Sequence, residues 1–329
     1  MGGSFPGFLY RQLTFCPKPL PSTVNLQGQT AIVTGGNVGL GLEAAKQLTA
    51  RGLSRLIIAV RTVSKGETAR EEILRENPSS GCEIGVWQLD QESFESMQAF
   101  GERARALDRL DIVILSAGVK MLEYSKSKTG HETHVQVNHL GTALLSLLLL
   151  APLQKTATER GSAPRLTIVT SEVHFWSKLP EKDAPNMLSR LDDPDSFGSG
   201  MDRYNTSKLL NVLWLRELSR RTGPDVVVNG VNPGLCASSL HRSDSTPGKE
   251  QFNKVFAWSP AQGGHCLVDA AVRHQDDRGA YISEQTVKKP SPLVLSKEGE
   301  KAQVELWDET IALLKEAVPG VDLLGGLVA

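Results

Sequence analysis

The stretch Thr30-Ala-Ile-Val-Thr-Gly-Gly-Asn-Val-Gly-Leu-Gly41 decides the fold. Its first five residues, small or β-branched, read as a buried strand. Glycines at 35, 39 and 41 then turn the chain into an apolar-periodic helix over residues 39–51. Such a turn lets backbone approach a pyrophosphate closely, and the helix it opens offers free N–H groups and partial positive charge. Gly35, Asn37, Gly39, Leu40 and Gly41 are thus candidate phosphate-binding residues. The spacing is GxxxGxG rather than the GxGxxG of the general dinucleotide fingerprint.

Outward from this turn, short apolar runs alternate with helical patterns. Strands are expected over 55–60, 83–89, 111–115, 165–171, 226–231 and 280–282, and helices over 64–76, 92–107, 131–150, 203–221, 260–273 and 297–315. Strands separated by helices imply βαβ units, and continuous runs such as Leu56-Ile-Ile-Ala-Val60 suit strands buried on both faces. The expected fold class is α/β, a single-domain doubly wound parallel sheet of the Rossmann type with helices on both faces. Residues 1–27 form an N-terminal arm, 28–318 the domain, and 319–329 a C-terminal tail. Two irregular stretches, about 175–202 and 235–259, leave the carboxyl ends of strands, where open α/β sheets bind ligands.

Composition excludes several classes. Of 329 residues, 36 are basic and 37 acidic, which argues against a nucleic-acid binder. Cys16, Cys82, Cys236 and Cys266 show no metal-ligand spacing and suit a reducing compartment, hence a cytoplasmic location. Cys236 reads as an apolar wall residue rather than a nucleophile. The apolar run 143–153 is too short to span a bilayer, and residues 1–27 lack a signal-peptide core. Phe5, Phe8, Leu9, Tyr10, Leu13 and Phe15 make the arm apolar, so it is expected to pack on the body or a partner subunit. A weak membrane-surface contact is the alternative. His131, His134 and His139 are read as structural, and no metal site is expected.

Two features point to chemistry. Arg61 ends the second strand, where an acidic residue would accept ribose hydroxyls; an arginine fork, with Lys65 nearby, favours the extra 2′-phosphate of NADP(H). Tyr204 and Lys208 lie at i and i+4 on one helix face. Lowering a tyrosine from about 10 to about 7 needs roughly 4 kcal/mol, which an ammonium at about 4 Å supplies at an effective dielectric near 20. The pair can therefore work as a general acid–base near neutral pH.

Together the glycine turn 34–41, Asp90, Leu115-Ser-Ala-Gly118, Asn138, Ser171, Tyr204/Lys208 and Asn232-Pro-Gly234 resemble the short-chain dehydrogenase/reductase family over residues 28–290. Ala59-Val-Arg61, Lys65-Gly-Glu67, Tyr124-Ser-Lys126, Glu132-Thr-His134 and Val137-Asn-His-Leu-Gly141 are similar to its retinol-dehydrogenase-like branch and to fungal secondary-metabolism reductases. The resemblance implies that hydride passes between a nicotinamide and a carbonyl or carbinol carbon. It makes Tyr204 the proton donor or acceptor and Lys208 its partner on the nicotinamide ribose. Ser171 would hold the substrate oxygen, with Thr170 the alternative, and Asn138 would support a water relay. Asp90, Ala117 and Gly118 would line the adenosine; Pro233, Gly234 and Ser238 would bracket the nicotinamide. The implied function is an NADP(H)-dependent oxidoreductase acting on a hydrophobic ketone or aldehyde of secondary-metabolite or retinoid kind. A non-catalytic dinucleotide-binding scaffold is the alternative. Phe175, Trp176, Leu179, Phe252, Phe256 and Trp258 are the expected apolar pocket. A homo-dimer or homo-tetramer through the helices at 131–150 and 203–221 also follows from the resemblance.

Overall fold

A computed structural model describes residues 3–238, 240 and 248–327, and of Lys249 the backbone alone. Residues 1–2, 239, 241–247 and 328–329, parts of the arm, the second loop and the tail, lie outside the described residues. The chain runs α1 (Phe5–Thr14), β1 (Thr30–Thr34), α2 (Gly39–Ala50), β2 (Arg55–Val60), α3 (Val63–Glu76), β3 (Glu83–Gln88), α4 (Phe94–Arg105) and β4 (Ile112–Leu115). A π-helical turn (Val135–Leu140) leads into α5 (Gly141–Leu148) and α6 (Leu150–Arg160), then β5 (Arg165–Val169). Short 3-10 turns and α7 (Met187–Leu191) precede α8 (Gly200–Arg221) and β6 (Val227–Asn232). The chain closes with α9 (Lys249–Phe256), α10 (Pro260–Arg273), β7 (Tyr281–Ser283), β8 (Thr286–Lys288), α11 (Pro292–Leu295) and α12 (Lys297–Ala317).

The strands form one eight-stranded sheet in the order β3-β2-β1-β4-β5-β6-β7-β8. All pairs are parallel except β7 with β8. Strand periodicity divides the core. Ile32, Ile57 and Val113 face a layer containing α4, α5, α6 and α8, whereas Ala31, Val33, Leu56 and Ile58 face α2, α3 and α10. Each layer supplies its own apolar cluster, so both sheet faces are dry. This is the doubly wound Rossmann arrangement expected.

Three features add to the expectation. The helix expected over 131–150 starts at the π turn and continues to Arg160, because the buried Glu132 caps rather than joins it: its carboxylate accepts from the backbone N–H of Val135, 3.0 Å, and bonds His134. The run Val135–Arg160 is long and apolar enough to cross a membrane, but 94% of its most apolar window is buried in the core. The arm contains a helix, α1, started by Ser4, whose Oγ accepts from the Gly7 N–H. Finally, the helices at 131–150 and 203–221 pack against the C-terminal part of the chain. Trp214 of α8 stacks on Trp307 of α12 at 4.5 Å, and Leu323 of the tail closes the same core.

Candidate active site

The sheet order reverses between β1 and β4, and at such a switch point the loops diverge and leave a crevice. A cleft of about 1090 Å³ opens there, lined from the carboxyl ends of β1, β2, β4, β5 and β6.

At one end lies the glycine turn. Gly35 and Gly39 have φ of 66° and 58°, conformations that L side chains rarely adopt. A Cβ on Gly41 would sit 2.5 Å from the Gly35 carbonyl oxygen, which is why the third glycine is needed for packing. The N-cap of α2 is Val38, which provides no side-chain hydrogen bond. The first-turn N–H groups are thus left to an anion, as a pyrophosphate requires. Thr34 fastens the neighbouring wall: its Oγ1 accepts from the N–H groups of Ser116 and Ala117, at 2.9 and 3.0 Å. That contact ties the end of β4 to the end of β1.

Gly35, Asn37, Gly39, Leu40, Gly41, Arg61, Lys65, Asp90, Ala117, Gly118, Ser171, Tyr204, Lys208, Pro233, Gly234 and Ser238 all line this cleft. Arg61 is largely solvent-exposed and 3.4 Å from the Glu92 carboxylate. Asp90 accepts from the Glu92 N–H and from Lys128 Nζ, each at 3.0 Å. Asn138 does not line the cleft. Its amide is used one layer behind: Nδ2 donates to the Val119 carbonyl and to Ser207 Oγ, and Oδ1 accepts from the Val119 N–H. The side chain thereby ties the segment after β4 to α8.

Helix α8 carries Tyr204 and Lys208, both buried, on its cleft-facing side. Lys208 Nζ donates to the Val169 carbonyl at 3.0 Å and lies 5.8 Å from the Tyr204 ring centroid. Burial lowers Lys208 to about 8 and pushes Tyr204 above its ordinary value. In the chain alone the phenol thus stands above, not below, the ordinary tyrosine value. The cause is burial, which penalises the phenolate.

Thr170 and Ser171 both line the cleft, but their hydroxyls go to different places. Thr170 is buried and donates to the Val231 carbonyl at 3.1 Å. Ser171 caps the following 3-10 turn through a long 3.4 Å contact from the Val173 N–H and is the more open of the two. His174 fixes it from behind. Its Nε2 accepts from the Ser291 N–H at 3.0 Å, so Nδ1 carries the proton and donates to the Ser171 carbonyl at 2.7 Å.

Of the expected apolar wall, Trp176 and Phe252 line the cleft. Phe175 packs instead on His174 and Tyr281, Leu179 is wholly buried in a separate cluster, and Phe256 packs on Phe252 outside the lining. Trp258 is buried, gives its N–H to the Gln12 carbonyl and packs on Phe15. Sequence reading missed Phe5 and Phe8 of α1, which line the cleft. Ser4 followed by Pro6 was the available helix-start signal, but its destination depends on contacts some 170 residues away, such as Trp176 Nε1 to the Gly3 carbonyl at 2.8 Å. His131, His134 and His139 bond Asp192, Glu132 and Thr310 respectively. Cys236 is buried and pushed up to about 12, which makes it an inert wall.

Comparison with known proteins fits this geometry. The short chain dehydrogenase family model matches residues 29–172. The short chain dehydrogenase sol3 of Alternaria solani is 65% identical over 289 residues, covering 88% of this chain and 100% of that protein. The chain belongs to the short-chain dehydrogenase/reductase family. A further family relative, dmxR8 of Cryptosporiopsis sp. (strain 8999), is 36% identical across 96% of this chain and 98% of its own length. Among solved structures, a short chain dehydrogenase of Escherichia coli CFT073 complexed with NADPH matches with a TM-score of 0.60 and 21% identity. It covers 81% of this chain and 100% of that one, a likeness of fold.

Proposed function

We propose that this family member is an NADP(H)-dependent oxidoreductase that interconverts a carbonyl and an alcohol on a hydrophobic small molecule of the secondary-metabolite kind. One observation carries the reading: Ser171, Tyr204 and Lys208 share a cleft with an uncapped helix N-terminus and with Arg61 and Lys65. When bound, the nicotinamide supplies or accepts the hydride. Arg61 and Lys65 hold the 2′-phosphate, the α2 turn the pyrophosphate, and Asp90, Ala117 and Gly118 the adenosine side. Pro233, Gly234 and Ser238 flank the nicotinamide. Ser171 Oγ holds the substrate oxygen, and Tyr204 passes the proton to it during reduction. Lys208, brought by burial to about 8, sits where its charge opposes the cost of a phenolate. We read the protein as cytoplasmic.

Fluorescence titration with NADPH and NADH tests the reading. NADPH should bind at least tenfold more tightly, and Arg61→Ala should remove most of that difference. Tyr204→Phe should keep the NADPH affinity within twofold while turnover of aromatic aldehydes falls by about 10²–10⁴. Retained turnover in that variant, or binding of neither nucleotide, overturns the assignment.

A further inference from the structure

Helix α1 is bolted to both sides of the site. Gln12 Nε2 donates to the carbonyls of Leu235 and Phe256, at 3.0 and 2.8 Å, and Gln12 Oε1 accepts from the Leu235 N–H at 3.1 Å. Arg11 pairs with Glu172, the neighbour of Ser171, and with Glu284 at 3.5 Å. These bonds fix the register of the helix over the cleft, so that Phe8 is 8% exposed and packs edge-on to Trp176 at 6.0 Å. Phe5 completes the trio, 6.0 Å from Phe8 and 6.5 Å from Trp176, distances at which aromatic rings attract one another. With Met201 and Phe252 these rings line the same cleft as Ser171 and Tyr204. The Glu172 carboxylate there is held by Arg11.

The geometry points to Phe8, with Phe5, as specificity-determining residues: the N-terminal helix forms the outer wall of the substrate chamber and selects neutral substrates with a flat aromatic body. This rests on the carbonyl-reductase reading of the cleft. Substrate length is gauged by where the rings stop, because Ser171 fixes the reacting oxygen and Trp176, five residues on, carries the rings against which the far end lies.

Benzaldehyde, 2-naphthaldehyde and 9-anthraldehyde, reduced with NADPH, form a graded set of probes. Phe8→Ala should raise the kcat/KM ratio of 9-anthraldehyde to benzaldehyde at least fivefold while NADPH affinity stays within twofold. An unchanged ratio overturns the wall. A second readout needs no turnover and no variant. Benzophenone irradiated with the wild-type protein should label the tryptic peptide of residues 1–11, and excess 2-naphthaldehyde should suppress the label. Label absent from that peptide also overturns the proposal. A protein that labels there yet reduces none of the aldehydes keeps the wall and removes the function proposed for the site.

Discussion

His174 shows how one side chain couples stability to the site. Its ring is fully buried and burial lowers it to about 4, from an ordinary 6.5. The folded ring is thus neutral where the unfolded one would take a proton. A folded value below the unfolded one means stability that is complete above pH 6.5 and lost as pH falls towards 4. The loss approaches about 3 kcal/mol for this residue. His139, lowered by burial to about 3, acts in the same direction. The melting temperature should therefore fall steadily between pH 6.5 and 4, and His174→Gln should flatten part of that slope. A slope unchanged in the variant contradicts the role given to His174. The same ring supports Ser171 through its carbonyl, so acid should disturb the substrate end before the nucleotide end.

Among elements, α8 has its first turn set against the segment after β4. A Cβ on Gly200 would lie 2.2 Å from the Met121 carbonyl oxygen and 2.5 Å from that of Leu122. Helix propensity alone favours Gly200→Ala by up to about 1 kcal/mol. Overpacking costs about 1–3 kcal/mol, and here the obstacle is backbone, which cannot swing away. The variant should lose stability, shifting the denaturant midpoint down; a midpoint shifted up would show that the segment gives way. The elements themselves were largely legible. β2 and α10 lie where their patterns place them, since the residues at their ends are turn formers or caps such as Ser259. β8 was not legible, because Thr286–Lys288 is exposed on every residue and leaves no apolar period. Tyr204 and Lys208 could be read because i,i+4 spacing on one helix is local information. Phe8 could not, because its neighbour Trp176 is distant in sequence and only the folded chain brings the two together.

At the scale of the whole molecule, the chain shields its own helical faces. α5 is buried along its full length, α12 lies over α8, and Gln154 of α6 donates to the Gly326 carbonyl of the tail at 2.6 Å. The helices at 131–150 and 203–221 are therefore largely covered within one chain. Sedimentation velocity should accordingly give a species near the chain mass of 35.7 kDa, and one of twice that mass would show that another surface associates. The buried run Val135–Arg160 has a different consequence during synthesis. Its cover includes α8 and α12, which leave the ribosome later. At 5–20 residues per second, the 157 residues between Arg160 and Ala317 take roughly 8–30 s to be made. For that interval the nascent chain carries a segment apolar enough for a bilayer and lacks part of the protein that hides it. The growing polypeptide is therefore most open to aggregation during that interval.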